Sequence, residues 1–289
     1  MSSLLVLAPL LAQIGPASAL PSSASPYASQ LPIEIIEKKD AEARHRDATQ
    51  NQAMPAAKSK AGCMSAVETD PQRSADLAHE ALGNAIGREK VRAGLCLGVA
   101  LADLGQWSEA SKAFTDARDA AEADDHASKA RLGAMAGSAT LAGGEPGQAL
   151  LLLGPAANEA KAANANDLVA SIALDRARAL VAVKQPAEAA QALAEARTAE
   201  PENAQAWLLS ATLSRRENKL VEAQAQIEKA AALAPTDPEV GLEAGVIAML
   251  AGNEAAARKS WSSVEAAAPD SEAAATAKGY LAQLGGAAK

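Results

Sequence analysis

Aromatic side chains are scarce in this chain, which contains three Trp, two Tyr and one Phe among its 289 residues. The strands of sandwiches and barrels are rich in aromatic and β-branched residues that alternate with polar ones, and no such alternation occurs here. Hydrophobic residues nevertheless make up 49% of the sequence, which is ample for burying the faces of helices. The composition therefore favours an all-α protein over any β architecture.

Positive charge is also in short supply. The chain has 27 Lys and Arg against 35 Asp and Glu, a formal net charge of −8. A nucleic-acid-binding surface needs a basic stripe, and docking on anionic lipid needs clustered cations. The charge therefore disfavours both partners and predicts a soluble, acidic protein whose partner is another protein or a peptide.

Catalytic and metal-binding motifs are missing as well. His45, His79 and His126 are isolated, with no His-Glu-x-x-His pattern and no His–Cys spacing suited to zinc. Neither a phosphate-binding loop nor a Gly-x-Ser-x-Gly elbow occurs, and the glycines of 137–147 follow no predicted strand. We expect a protein that is not an enzyme and holds no metal or cofactor. The alternative is hydrolysis at a site assembled from scattered residues.

The clearest feature present is a pattern that repeats every 34 residues between positions 170 and 271. Within each repeat the apolar residues are three or four apart, so each repeat is predicted to form two amphipathic helices joined by a turn. Small residues would let the two helix axes approach closely. The residues that recur in register are Pro201, Pro235 and Pro269, Ala189, Ala223 and Ala257, Ala177, Ala211 and Gly245, and Leu193, Ile227 and Trp261.

The predicted turn inside each repeat is marked by residues that mostly tolerate the left-handed backbone conformation ending a helix. Prolines follow the second helix, where the chain must stop before the next repeat begins. These properties together describe stacked helical hairpins. The turn residues, in chain order, are Gly105, Gly144, Lys184, Asn218 and Gly252.

These patterns resemble the tetratricopeptide repeat, whose motif is W-x2-L-G-x2-Y, then A-x3-F, then P. One repeat contains Gly94-x2-Leu97-Gly98-x2-Leu101 and Ala110-x3-Phe114, and another contains Trp207, Ala211, Ala223-x3-Ile227 and Pro235. The family's tyrosine position holds mostly smaller residues: Leu101, Thr140, Leu180, Ser214 and Ala248. The resemblance implies an all-α, right-handed superhelical solenoid of about six repeats with a C-terminal capping helix. The alternative is a generic alanine-rich bundle.

The chain divides into three parts. Residues 1–19 have the apolar run and the Ala-x-Ala ending of a bacterial secretory signal peptide, although no basic residue precedes the run. A misassigned start or a disordered tail is the alternative. Residues 20–55 are predicted to be a flexible Pro/Ser/Ala-rich linker and a charged segment. The repeats are expected near 56–87, 91–124, 130–163, 170–203, 204–237 and 238–271, with a cap at 271–285 whose start Asp270 caps.

Cys63 and Cys96 are the two cysteines, and they lie in the first helices of consecutive repeats. Such helices are neighbours in a solenoid, so an exported chain would be expected to join them in a disulfide. The alternative is two unpaired, buried thiols. A signal peptide places the protein in the periplasm or outside the cell, without a stable membrane span, whereas its absence would leave the protein in the cytoplasm.

The resemblance also implies a concave groove lined by the first helix of each repeat. Three of its arginines, Arg131, Arg178 and Arg215, could bind a peptide carboxylate, unless they neutralise acids such as Asp175 and Glu217. The expected function is a non-enzymatic scaffold that binds an extended or helical peptide, and the alternative is an accessory subunit or adaptor of an envelope enzyme or secretion complex. The candidate groove residues are Arg131, Ser138, Leu174, Arg178, Gln205, Leu208, Thr212, Arg215, Leu242 and Val246.

Overall fold

The computed structural model describes residue 67 and residues 69–286, and within that range it contains twelve α-helices and no β-strand. The predicted all-α fold is confirmed. The helices are α1 (Pro71–Leu82), α2 (Gly87–Asp103), α3 (Trp107–Asp119), α4 (His126–Ala142), α5 (Pro146–Ala162), α6 (Asn166–Ala182), α7 (Pro186–Ala199), α8 (Ala204–Arg216), α9 (Leu220–Leu233), α10 (Pro238–Leu250), α11 (Glu254–Ala267) and α12 (Glu272–Gly286).

The described chain forms two compact units whose boundary lies within α7, between Glu195 and Ala196. In the N-terminal unit, consecutive helices from α1 to α6 pack against one another, and α4 also contacts α6. In the C-terminal unit, consecutive helices from α8 to α12 pack in the same way, with further contacts of α10 with both α8 and α12. Within each unit, helical hairpins therefore stack side by side, as expected for a helical solenoid.

The turns inside the hairpins have the predicted left-handed residues. The φ angle is 71° at Gly105, 61° at Lys184 and 60° at Asn218, and it is 81° at both Gly144 and Gly252. After each of them, the next backbone N–H donates to the carbonyl five residues earlier, as Gln106 does to Leu101 at 2.8 Å. This bond satisfies a carbonyl that the helix end leaves free. The prediction for all five turns is confirmed.

Small residues inside the hairpins allow very close helix contact. A Cβ atom added to Gly98 would lie 2.4 Å from the ring of Phe114, and one added to Gly245 would lie 2.1 Å from Trp261 Nε1. Phe114 and Trp261 are 0% and 1% exposed. The absence of a side chain on the first helix is therefore what lets the second helix bury its largest residue.

The helix α12 covers the last hairpin, as the sequence predicts. Tyr280 packs against Trp261 with ring centroids 4.9 Å apart and ring planes tilted by 45°, and Ala273 and Ala277 are buried in the same cluster. The N-cap differs from the prediction: Ser271 Oγ, not Asp270, accepts the hydrogen bond from the backbone N–H of Ala274. Ser271 follows Asp270 by one residue, and helix starts predicted from sequence are uncertain by about this much.

Four sequence predictions concern parts of the chain outside the described residues. These are the signal peptide at 1–19, the linker and charged segment at 20–55, the first helix of the first repeat up to residue 66, and Cys63. The bounds of the six repeats likewise stay a prediction.

The close contact at Gly98 gives a prediction about stability. We expect Gly98→Ala to lower the free energy of unfolding by about 1–3 kcal/mol, because the added methyl group overpacks the contact with Phe114. Gly147→Ala on α5 is the matched control, since no atom lies within 4 Å of its Cβ position, and it should leave stability unchanged or raise it by up to about 1 kcal/mol. Urea unfolding followed by circular dichroism measures both. Equal effects of the two substitutions would contradict this account of the packing.

Candidate functional site

The candidate groove residues lie on two pairs of neighbouring helices, one pair in each unit. In the N-terminal unit they occupy α4 and α6, and in the C-terminal unit they occupy α8 and α10. The helices of each pair contact one another. The N-terminal group contains Arg131, Ser138, Leu174 and Arg178, and the C-terminal group contains Gln205, Leu208, Thr212, Arg215, Leu242 and Val246.

Three polar side chains form a buried cluster between α4 and α6. The Asp175 carboxylate accepts a hydrogen bond from Arg178 Nη1 at 2.8 Å and another from Ser138 Oγ at 2.5 Å. Ser138 Oγ also lies 2.9 Å from the carbonyl of Ala134. The side chains of Arg178 and Asp175 are only 5% and 2% exposed, so the two charges depend on each other for compensation.

The guanidinium of Arg178 binds Asp175 and is therefore not free to bind a ligand. Asp175 lies one helical turn earlier on the same helix and engages it directly, which is the neutralising alternative that the sequence leaves open. The Nε atom of Arg178 is buried and has no hydrogen-bond partner among the residues that the structure describes. Leu174 is buried as well. Arg131 is the exposed member of this group and forms no ion pair with any residue in the described range.

In the C-terminal unit, Arg215 is held by an acid that sequence reasoning missed. Arg215 Nε donates to Glu243 Oε1 at 2.6 Å, and their side chains are 16% and 13% exposed. Glu217, the partner suggested by the sequence, instead lies 2.9 Å from Lys219, where its hydrogen bond raises the pKa of Lys219. Glu243 belongs to α10, so only the packing of α8 on α10 reveals this pair.

Tyr280 of the capping helix shares the neighbourhood of this ion pair. Burial raises the pKa of the Tyr280 hydroxyl, while the positive charge of Arg215 lowers it and the negative charge of Glu243 raises it. Tyr280 therefore stays a neutral hydrogen-bonding group at neutral pH. It adds a half-buried aromatic ring next to a charged pair.

The accessible part of the C-terminal group is mixed in character. Gln205, Thr212 and Leu242 are half-buried, so part of each side chain contacts solvent. Leu208 and Val246 are 6% and 5% exposed and belong to the hydrophobic core. The candidate surface here thus offers one amide, one hydroxyl and one apolar side chain on two adjacent helices.

An arginine stacked on a tryptophan secures the turn between α7 and α8. The guanidinium carbon of Arg197 lies 4.8 Å from the ring centroid of Trp207, and Trp207 Nε1 donates to the carbonyl of Pro201 at 2.8 Å. Burial lowers the pKa of Arg197, although an arginine still carries its charge at neutral pH. Sequence reasoning missed this contact, because only folding brings the two residues face to face.

A second concave feature lies between α5, α6 and the start of α7. It is an open cleft of about 380 Å³, lined by apolar Leu150 and Leu180 and by polar residues of α6 and α7. Glu195 at its edge is bound by Arg176 at 2.9 Å and by Lys161 at 2.5 Å. Gly154 also lines the cleft, and its lack of a side chain helps to keep this space open.

Within the described range, no group of three or more His, Cys, Asp and Glu residues is arranged to hold a metal ion. His126 is paired with Glu159, with 2.6 Å between Nδ1 and Oε2. Cys96 is buried on α2 at 7% exposure. Of the helices described, none combines the length and the apolar character needed to cross a membrane.

The buried cluster at Asp175 gives a prediction about stability. We expect Arg178→Met to lower the free energy of unfolding by about 3–5 kcal/mol, because it leaves the Asp175 carboxylate buried without a compensating charge. The double variant Arg178→Met with Asp175→Asn should recover most of that loss. Arg131→Met at the exposed position is the control and should change stability by less than about 0.5 kcal/mol. If urea unfolding gives Arg178→Met the same small effect as Arg131→Met, the pair does not stabilise the fold.

No protein-family model matches this sequence, and no curated protein matches it. Solved structures do match. PilW, described as a widely conserved type IV pilus biogenesis factor, is 19% identical, with 74% of this chain and 94% of PilW aligned and a TM-score of 0.58. PilF of Pseudomonas aeruginosa is 14% identical over 75% of this chain and 93% of its own, with a TM-score of 0.59. BtubC of P. vanneervenii is 14% identical over 72% and 91%, also at 0.59.

Likeness at these identities concerns the fold. Three observations indicate the same fold. They are the 34-residue period of the sequence, the helical hairpins with left-handed turns and the matching solved structures. The described chain has the fold of tetratricopeptide-repeat proteins.

Proposed function

We propose that the protein is a non-enzymatic protein–protein interaction scaffold that binds an extended or helical peptide along the first helices of its repeats. The observation that carries this proposal is the pair of contacting helices α8 and α10, on which Gln205, Thr212 and Leu242 are half-buried. The Gln205 amide can bond to a peptide backbone, and leucine can contact its apolar side chains. The Thr212 hydroxyl donates to the Leu208 carbonyl at 3.0 Å and can still accept a hydrogen bond from a peptide N–H. This combination suits a peptide better than a small charged molecule.

The N-terminal unit would contribute mainly through Arg131. Its guanidinium is exposed on α4, so it can bind a peptide carboxylate through two hydrogen bonds without first breaking an ion pair. Arg178 and Arg215 would act differently, because each is already held by a carboxylate at 2.8 Å or less. In this proposal Arg178 and Arg215 each fix the shape of the surface in their own unit, and Arg131 carries the charge recognition of the N-terminal unit alone.

A second candidate function is that of an accessory subunit or adaptor in an envelope assembly, such as a secretion complex or an envelope enzyme. The likeness in fold to PilW, a type IV pilus biogenesis factor, favours it. This second proposal includes a signal peptide at 1–19, a linker at 20–55 and repeats over 56–285. The signal peptide would direct the protein to the periplasm or outside the cell.

The peptide proposal can be tested by selecting ligands from a random-peptide display library on the full chain. We expect Gln205→Glu and Thr212→Glu each to weaken a selected peptide that binds the C-terminal unit by about tenfold or more in fluorescence anisotropy, since each puts a carboxylate on the proposed surface. Lys229→Glu, an exposed position on the second helix α9, is the matched control and should change affinity by less than about twofold. Failure to select any peptide, or equal effects of all three substitutions, would refute the groove.

A disulfide between Cys63 and Cys96 is the test of export that the chain itself offers. If the protein matures in an oxidising compartment, we expect faster migration on a non-reducing gel than on a reducing one. We further expect the free energy of unfolding to fall by about 3–4 kcal/mol on reduction, because the disulfide closes the loop from Cys63 to Cys96 and so lowers the entropy of the unfolded chain. Cys96→Ser should abolish both differences. Identical migration with and without reductant in protein purified from the periplasm would show that the thiols are unpaired.

A further inference from the structure

The helix α5, which borders the cleft between α5, α6 and the start of α7, lacks charge on its outer side. Residues 146–158 of α5 contain no charged side chain, whereas the other second helices α1, α3, α7, α9 and α11 all carry both acidic and basic residues. Leu151 of α5 is 69% exposed. A surface helix normally turns a charged side to water, so the outer side of α5 is not typical of a surface that contacts solvent alone.

The exposed Leu151 extends the apolar wall of the cleft. Leu150, Leu180 and Ala192 line the cleft together with Gly154, and no atom lies within 4 Å of the position that a Cβ of Gly154 would occupy. Leu151 lies beside Gly154 by helical spacing. The volume of about 380 Å³ falls in the range of about 300–1,000 Å³ in which proteins hold ligands. We call these five residues the α5 recess.

The charged groups at the edge of the α5 recess differ in whether they have a partner. Arg176 and Lys161 both bind Glu195, so both cations are already engaged. Glu188 also lines the cleft and is exposed, but its carboxylate forms no ion pair or hydrogen bond with any side chain in the described range. Glu188 is therefore the charge at this recess that is left for a partner.

A proline inside α5 supplies a second free acceptor. Pro155 lies within the helix and has no N–H, so the carbonyl of Leu151, four residues earlier, does not receive its usual helix hydrogen bond. Leu151 and Pro155 are both exposed and lie one helical turn apart on the same side. A donor from another molecule can therefore approach this oxygen. Together with the Glu188 carboxylate, it makes the recess an apolar site that is rich in acceptors.

We propose that the α5 recess binds an amphipathic segment of a partner protein that carries a large apolar side chain and, at helical spacing from it, a lysine or arginine. The apolar side chain enters the cleft over Gly154, and the cation binds Glu188. Ammonium and guanidinium groups offer donors only, which complements the free acceptors, and a basic segment also complements a chain with a net charge of −8. The second helices α5 and α7 flank this recess, so the proposal does not depend on the peptide groove of the first helices.

Two other occupants fit the α5 recess less well. A symmetric dimer brings the same patch of both copies together, so Glu188 and the Leu151 carbonyl would face acceptors of the same kind. A small cationic molecule could bind inside the cleft, but it would leave the side chain of Leu151 exposed. A protein segment can cover the cleft and Leu151 at once.

The test selects peptides from a random-peptide display library on the full chain. The library is first depleted on the variant Gly154→Trp, whose indole fills the cleft while the first helices stay unchanged, so peptides that bind the groove are removed. We expect the enriched peptides to share a large apolar residue with Lys or Arg three or four positions away. No enrichment, or enriched peptides without Lys or Arg, would overturn the proposal and leave the groove untouched.

Charge reversal then locates the binding of one enriched, fluorescently labelled peptide. We expect Glu188→Lys to weaken it by about tenfold or more in fluorescence anisotropy. Glu202→Lys makes the same change of charge at an exposed position in the other unit and should weaken it by less than about twofold. Thr212→Glu, in the proposed groove, should leave its affinity unchanged. Equal weakening by the two lysine variants would show a response to net charge alone and would contradict the recess.

Stability measurements separate a filled cleft from a damaged fold. Gly279→Trp is the matched control for Gly154→Trp, because no atom lies within 4 Å of its Cβ position either. Both variants should unfold at nearly the temperature of the unchanged chain, and only Gly154→Trp should lose the peptide. A peptide that binds both variants equally would overturn the proposal. A dimer in solution that Gly154→Trp converts to a monomer would overturn it too, because the occupant would then be a second copy.

Discussion

The structure depends on the contact between a residue with almost no side chain and the largest side chain of the next helix. Gly98 under Phe114 and Gly245 under Trp261 are its clearest instances, each closer than a methyl group would allow. With few aromatic residues in the chain, the core combines large buried side chains such as Phe114 and Trp261 with many buried alanines. This explains how a chain with 2% aromatic residues can still form a hydrophobic core.

Local rules made much of the fold predictable from the sequence. Lys184 and Asn218 could be assigned left-handed turns because their position between two helical patterns leaves few other conformations, and both have positive φ. The large apolar residues Phe114, Ile227 and Trp261 could be assigned to the core because they fall on the apolar face of a predicted helix, and all three are buried. These predictions depend on spacing along one hairpin, which the sequence states directly.

The polar contacts of the candidate site were less predictable, because they join residues from different helices. Arg215 and Glu243 are 28 positions apart, and their pairing requires the actual rotation of α8 against α10. Arg178 could be matched to Asp175 only as one of two alternatives, since the same spacing also allows an arginine that faces solvent. Burial decided between them, and burial follows from how the neighbouring helix packs rather than from the helix that carries the residue.

The buried polar cluster also limits how the first helices can slide past one another. Asp175 on α6 bonds to Ser138 on α4, so a shift by one helical turn would separate the hydroxyl from the carboxylate and leave a buried charge with fewer partners. Contacts among alanines discriminate poorly between such registers, because small side chains form nearly the same surface at each turn. In a fold packed mainly with alanine, register therefore has to be set by the few glycine contacts and by polar pairs of this kind. The side chains that fix the register are then unavailable to a ligand, which is why the proposed function relies on residues such as Arg131, Gln205 and Thr212 that are exposed or half-buried.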